Sequence, residues 1–330
     1  MDGIFVYDIF VFQFFHTMPI HTILGAGGVI ADELSAELVR HGEPVRLVSR
    51  HPAERQGAVS HPADITDQAQ TVQAVHGSSV VYLCAGLPYD YSVWRQQWPK
   101  IMTNTIEACR RADARLIFFD NVYMYGKVDG VMTEDTPYDP CSRKGDLRAR
   151  IATQLMSEVR RGNITASIAR SADFYGPGSL RTGIPNLLVF ARLAKGKTAQ
   201  WLVNAGMRHS FTYTPDAAKA LYLLARDEGS WNQAWHLPTA ANPLTGSEFI
   251  ALAARNMGVS SHYSLLSKWM IGLGGLFDKT TAELKEMLYQ YESPYLFDSS
   301  KFEKAYAFKP VSCEEGIKTT ADAYKNDTGA

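Results

Sequence analysis

The sequence predicts an α/β chain built on a doubly wound parallel sheet, with a small lobe formed by its C-terminal part. Three observations carry that prediction. A short apolar strand at 21–24 runs into glycines and then into a helix. Strand and helix patterns alternate from there to Arg170, with helices long enough to serve as crossovers between parallel strands. After about residue 175 the rhythm loosens into helices separated by short strands.

Residues 22–31 read Thr-Ile-Leu-Gly-Ala-Gly-Gly-Val-Ile-Ala, placing Gly25, Gly28 and Ala31 three residues apart. A tight turn and close approach to a pyrophosphate both need a residue without a Cβ, and a small third residue lets the helix pack on the strand. The free N–H groups of the helix then face the phosphates. The plainer reading is an ordinary strand-to-helix turn, but Leu34, Leu38 and Val39 share one face of the following helix and Gly42 ends it. Strands are expected next at 45–49, 59–61, 80–84, 115–119 and 165–170. Long helices are expected at 92–112 and 142–161. Ligands of such a sheet lie at the carboxyl ends of its strands, and its crossovers are right-handed. Beyond Tyr175-Gly-Pro-Gly, helices are expected at 184–195, 216–226, 246–256 and 279–291, and short strands near 209–213 and 233–237.

Composition narrows the function. The 330 residues carry 33 Lys plus Arg against 34 Asp plus Glu, so no overall charge favours nucleic acid or an anionic membrane. Cys84, Cys109, Cys141 and Cys313 lack paired spacing and read as the reduced thiols of a cytoplasmic protein, with neither a disulfide frame nor a metal site. Ile4 to Phe15 is apolar but too short to span a membrane, and it lacks the basic start and cleavage site of a signal peptide. Residues 1–17 are therefore read as a non-native extension, the alternative being a hydrophobic arm that docks on a partner.

In order along residues 20–320, the landmarks are Gly25-Ala-Gly-Gly-Val-Ile-Ala, Asp64-Ile, Cys84-Ala-Gly, Asn104-Thr and Val122-Tyr-Met-Tyr-Gly. They continue with Arg170-Ser-Ala-Asp-Phe-Tyr-Gly-Pro, Phe211-Thr-Tyr-Thr-Pro-Asp-Ala-Ala and Asp298-Ser-Ser-Lys-Phe. Each is common alone; as an ordered set the chain resembles the extended short-chain dehydrogenase/reductases of the NAD-dependent epimerase/dehydratase family. The resemblance implies a Rossmann fold over 18–175 and a substrate lobe over 176–330 interleaved with it. It assigns cofactor contacts to Gly25, Gly27, Gly28, Val29 and Ile30 at the pyrophosphate, Asp64 and Ile65 at the adenine, and Ala85 and Gly86 toward the nicotinamide ribose. Asn104 joins them. The residues after the second strand select the cofactor: an acid binds a ribose 2′-OH and a base accepts a 2′-phosphate. Here Ser49-Arg50-His51 offers no acid. Arg50 points to NADP, with NAD the alternative if Arg50 is merely a solvated loop residue.

The resemblance breaks at the chemistry. Such enzymes use a Tyr-x-x-x-Lys pair and a Ser or Thr after the fifth strand. Alignment on Gly145 puts Lys144 in place of the tyrosine and Arg148 in place of the lysine, and counting back from Gly126 puts Asn121 in place of the serine. Arg148 donates hydrogen bonds to a ribose without titrating. Asn121 orients a substrate oxygen. Lys144 is either an acid/base with a lowered pKa or a solvated helix-start lysine. Tyr123 sits in a register that faces substrate in the family's sugar dehydratases, where it is either a replacement acid or an aromatic wall; Tyr125 reads as structural. On the substrate side, Asp173 stands where nucleotide-sugar epimerases place an Asn for phosphate, and an acid there repels a diphosphate. Arg208 lies near the diphosphate-binding arginine, one residue too far from Asp216, which is expected to cap a helix.

The expected function is therefore NAD(P)-dependent oxidoreduction of a small carbonyl or hydroxyl compound, with activity in question because the catalytic residues are altered. The alternatives are a nucleotide-sugar epimerase or dehydratase and a non-catalytic NADP-binding sensor. The expected partners are a small-molecule substrate and, through the two long helices, a second copy in a homodimer, with no nucleic acid and no membrane.

Overall fold

The computed structural model describes residues 19–179 and 182–327, so the expectation for residues 1–17 lies outside the described residues. The chain runs β1 (Ile20–Leu24), α1 (Val29–Arg40), β2 (Val45–Ser49), β3 (Ala58–Pro62), α2 (Gln68–Val75), β4 (Ser78–Leu83), α3 (Tyr91–Ala112), β5 (Arg115–Asp120), β6 (Val131–Met132), α4 (Arg143–Arg160) and β7 (Ala166–Arg170). It continues through β8 (Asp173–Tyr175), α5 (Ala191–Leu193), β9 (Ala199–Leu202), β10 (Phe211–Tyr213), α6 (Thr214–Arg226), β11 (Ala234–His236), α7 (Gly246–Met257) and β12 (Tyr263–Leu266). The last elements are α8 (Lys268–Gly274), α9 (Lys279–Leu284), β13 (Leu296–Phe297), α10 (Ser300–Tyr306) and α11 (Cys313–Asp327).

Seven strands form one parallel sheet in the order β11-β7-β5-β4-β1-β2-β3. The chain passes from β3 back across β2 and β1 to β4, so the order reverses between β1 and β4, the place where open parallel sheets bind ligands at their strands' carboxyl ends. Alternate strand residues feed two layers of core. Val81, Leu83, Leu116 and Phe118 meet Trp94, Trp98 and Ile101 of α3 and Ile151 and Leu155 of α4. Tyr82 and Ile117 meet Leu34 and Leu38 of α1, Leu221 and Leu224 of α6 and Phe302 of α10. A third cluster, with Tyr175, Phe190, Trp201, Phe249 and Ile317, lies under the later segments. Among the described residues no helix is long and apolar enough to cross a membrane.

Most expected elements through β7 form within a residue or two of their expected bounds. Four later or weaker ones differ. No helix was expected at α2, whose sequence is rich in Gln; the Asp67 side chain starts it by accepting from Gln70 N at 2.9 Å. The helix expected over 184–195 forms over 184–193, with a wide π-turn at Asn186–Phe190 in its middle and α5 as its last turn. There the Asn186 amide donates to Gly176 O at 3.0 Å and accepts from Gly176 N at 3.3 Å. The helix expected over 279–291 is α9 followed by a tighter 3-10 stretch, Lys285–Tyr291. Asp216 does not cap α6: it lies in the first turn and accepts Val311 N at 2.7 Å.

Candidate functional site

The glycine turn sits at the switch point, and its glycines differ in what they do. Gly25 and Gly27 have φ of +96° and +97°, the left-handed side that favours glycine. A Cβ on Gly25 would fall 2.3 Å from Ala85 Cα, because the chain leaving β4 presses on the turn. A Cβ on Gly28 would meet only Gly25 O, at 3.8 Å, and Gly28 has an ordinary φ of −89°. Gly25 and Gly27 are thus demanded by the backbone; Gly28 and the open Gly86 are not, and leave space. Gly28 is the N-cap of α1 and supplies no side-chain bond, whereas Asp67, Asp90, Ser142 and Thr245 cap α2, α3, α4 and α7. The first N–H groups of α1, at Gly28, Val29 and Ile30, therefore keep their donors for a ligand. Ala31 is buried against the sheet. These residues fit a dinucleotide's pyrophosphate.

Beyond the turn, Ser49 ends β2 and Arg50 is exposed beside it. Thr66 holds the Asp64 carboxyl below the usual range through its backbone N–H (2.9 Å) and hydroxyl (2.8 Å), and the Arg50 charge adds to the effect. Asn104 reaches from α3 to donate to Ile65 O at 3.1 Å, which fixes the Asp64–Ile65 loop. Arg55, not singled out in the sequence, pairs with Asp32 of α1 at 2.8 Å.

At the end of β5, Asn121 accepts from Tyr123 N at 3.1 Å, and this Asx turn begins the short helical turn Tyr123–Tyr125. Arg148 is buried. Its guanidinium binds Asp120 and lies 4.3 Å over the Trp98 ring, so it does not stand free toward a ribose. Lys144 is fully buried, which corrects the reading of a solvated helix-start lysine. Its ammonium binds the Glu283 carboxylate, the Glu283 carbonyl at 3.1 Å and Glu286 Oε1 at 2.7 Å, beneath the Tyr89 ring at 4.6 Å. Three acceptors take its three donors, so Lys144 ties the start of α4 to the segment that begins at α9. Neither glutamate carries a local signal linking it to Lys144.

Tyr123 is half-buried, with the Tyr89 phenol near enough to act on its pKa. Burial pushes its pKa well up, Asp173 pushes the same way, and Tyr89 and Arg148 pull against them. Tyr125 is buried and structural: its hydroxyl meets His236 Nε2 at 2.8 Å and accepts from Arg170 at 2.5 Å. His236 Nδ1 lies 2.8 Å from Asp298 O.

Asp173 opens β8, just past the end of β7. Its Oδ2 accepts from His209 Nε2 at 3.1 Å and from the Tyr291 hydroxyl at 2.9 Å. The His209 ring is stacked between Tyr295 (4.4 Å), Phe211 (4.5 Å) and Tyr291 (4.8 Å). Arg208 is exposed, and its backbone pairs with Thr245 and Tyr295. The structure thus brings Asp173 together with His209 rather than with Arg208. The signal for His209 was in the sequence, since counting back to the family spacing from Asp216 lands on it.

A sequence model of the NAD dependent epimerase/dehydratase family matches residues 21–237. No curated protein matches the chain. Among solved structures, the dTDP-glucose 4,6-dehydratase DesIV of Streptomyces venezuelae with NAD and TYD bound superposes with a TM-score of 0.78 at 16% identity, covering 94% of this chain and 98% of that one. MoeE5 in complex with UDP-glucuronic acid and NAD gives 0.74 at 20%, covering 94% and 99%. A UDP-glucose 4-epimerase of Thermotoga maritima with UDP-glucose gives 0.76 at 17%, covering 93% and 99%. At these identities the likeness is one of fold.

Proposed function

Because the chain belongs to the NAD-dependent epimerase/dehydratase family, we propose that it is an NAD(P)-dependent oxidoreductase of a small hydroxyl or carbonyl compound that carries no nucleoside diphosphate. The observation that carries this reading is the Asp173–His209 couple. It occupies the register in which the family's nucleotide-sugar enzymes are expected to bind phosphate, and a carboxylate facing a diphosphate is repulsive.

The uncapped start of α1 holds the pyrophosphate, and Gly86 leaves room beside the ribose. Arg50 meets the 2′-phosphate of NADP. Once bound, the dinucleotide supplies the hydride acceptor or donor. Tyr123 is the group that moves a proton. Burial and Asp173 keep the proton on its phenol, the form that protonates an oxygen acquiring charge as a carbonyl is reduced. The Asn121 amide N–H, which has no protein acceptor among the described residues, orients that oxygen. Arg148 and Lys144 act through others: Arg148 sets its charge beside Tyr123, and Lys144 seats Tyr89 and the segment after α9. A second reading, a dinucleotide sensor without turnover, is favoured by one observation: the residues in the Tyr-x-x-x-Lys register are both committed to ion pairs.

Titration of the purified protein with NADPH and NADH, followed by ligand fluorescence, tests the cofactor. NADPH is expected to bind more tightly; a preference for NADH removes Arg50 as selector and revives the nucleotide-sugar reading. If neither binds, the enzyme readings fall. In a carbonyl-substrate screen, Tyr123→Phe is expected to lower kcat about 100-fold with NADPH affinity unchanged. An unchanged rate would place the acid elsewhere, and bound NADPH with no turnover on any substrate would favour the sensor.

A further inference from the structure

Asp173 is an acid whose charge nothing permanent offsets. Among the described residues no Lys or Arg pairs with it; its one ionic neighbour is His209, at 3.1 Å. Its low-exposure counterparts nearby are matched by cations: Asp120 by Arg148, and Glu283 and Glu286 by Lys144. Both donors to Asp173 converge on Oδ2. Oδ1 has no protein donor among the described residues, and the side chain keeps 16% of its surface exposed.

The surroundings are aromatic. Asp173 lies near enough to Tyr89, Tyr123, Tyr289, Tyr291 and Tyr295 for its charge to raise each phenol's pKa. Tyr291 and Tyr295 are buried behind it and fix its orientation through the stacked His209 ring. Tyr89 and Tyr123 are half-buried, unlike the buried Tyr291 and Tyr295. Tyr89 follows β4, Tyr123 follows β5 and Asp173 follows β7, so all three stand at the carboxyl ends of neighbouring strands, the edge that carries the glycine turn. The Lys144 cluster adjoining Tyr89 sets two carboxylates against Lys144 and the exposed Arg143, which pairs with Glu286 at 3.5 Å, so it leaves no surplus cation to offset Asp173.

A carboxylate with one oxygen held by the protein and one free, walled by phenol rings, suits a cation: ring faces attract positive charge and the free oxygen accepts its N–H or sits beside its methyl groups. We propose that Asp173 anchors a positively charged amine or quaternary ammonium group of the substrate, with Tyr89 and Tyr123 as its walls and His209 and Tyr291 as positioning residues. This rests on the oxidoreductase reading above and names its substrate class, a small amino alcohol or amino carbonyl compound.

The test uses the full chain loaded with NADPH and three probes of similar size: choline, the uncharged carbon isostere of choline, and glycolate. Binding is read by calorimetry. Choline is expected to bind about tenfold more tightly than its isostere, and glycolate not at all. Asp173→Asn is expected to erase the preference while keeping NADPH affinity, which serves as the check on folding. Equal binding of choline and isostere, or preference for glycolate, overturns the proposal. If Asp173→Asn does not fold, the charge series on the unaltered protein decides alone. Loss of NADPH binding with choline preference intact overturns the oxidoreductase reading only; the reverse overturns the cation anchor only.

Discussion

Under the proposed function, the cofactor side and the substrate side of the site are built from different materials. The cofactor side is backbone: two glycines with positive φ, an uncapped helix start and a β4 exit that fits only against a residue without a Cβ. The substrate side is side chains brought from Tyr89, Asn121, Lys144, Asp173, His209, Glu283 and Tyr291, most of them gripping one another. The backbone site tolerates little change at Gly25 and Gly27, where φ is positive and, at Gly25, a Cβ would meet backbone. Side-chain sites can be rewritten pair by pair, provided each buried charge keeps a partner. That difference explains a chain that retains the family's glycine turn while all three positions expected to do its chemistry carry other residues.

The sharpest way to break the contrast is at the turn itself. Gly25→Ala is expected to cost about 3 kcal/mol or more, since its Cβ would collide with backbone at a disfavoured φ. Gly28→Ala is expected to leave the melting temperature nearly unchanged and weaken NADPH binding. Equal thermal losses in the two variants would mean that Gly28 is structural too. On the substrate side, Lys144→Met leaves Glu283, 12% exposed, without a cation and Glu286 with only the exposed Arg143 at 3.5 Å, and is expected to cost about 3 kcal/mol in urea unfolding. A loss under 1 kcal/mol would mean that the ion-pair cluster is replaceable.

Smaller effects sharpen the comparison. Arg50→Ala is expected to weaken NADPH about tenfold, worth about 1.4 kcal/mol, and to leave NADH unchanged. Equal loss for both nucleotides would remove Arg50 as the 2′-phosphate contact. The substrate side also carries a pH signature. His236 donates to Asp298 O and accepts from Tyr125, a pattern only neutral imidazole satisfies, and burial lowers its pKa to about 3. The unfolded chain therefore binds the extra proton first. The stabilising effect is present above the unfolded value of about 6.5 and is lost as pH falls toward 3, by up to about 1.4 kcal/mol per unit. His236→Gln should flatten that part of the stability–pH curve measured by denaturant unfolding; an unchanged slope would place the titration elsewhere.

The same contrast governs what could be read in advance. The strands β1 to β5 and β7 and the glycine turn were legible because apolar runs, glycines and helix faces are local signals; the two-residue β6 was not. Asp67 gave α2 a cap, but Gln-rich faces hid its apolar stripe, and the irregular turn at Asn186 depends on a side chain reaching ten residues back. Asp173 was legible as an acid in an unexpected place. His209 was hidden by the attraction of the neighbouring Arg208, although its count from Asp216 was available. Glu283 and Glu286 could not be found, because only the folded chain brings them to Lys144 and no periodicity records it.

The Lys144 contacts also set a timetable. They join residues 139 and 142 positions apart, so they cannot form until the chain has been made past Glu286 and has closed a very long loop. The glycine turn needs only β1, β2 and the exit of β4, all before residue 86. During synthesis the strands around the glycine turn are complete some two hundred residues before Glu283 and Glu286 exist, so under the proposed function a dinucleotide would be able to serve the growing chain as a folding partner before it serves as a reagent.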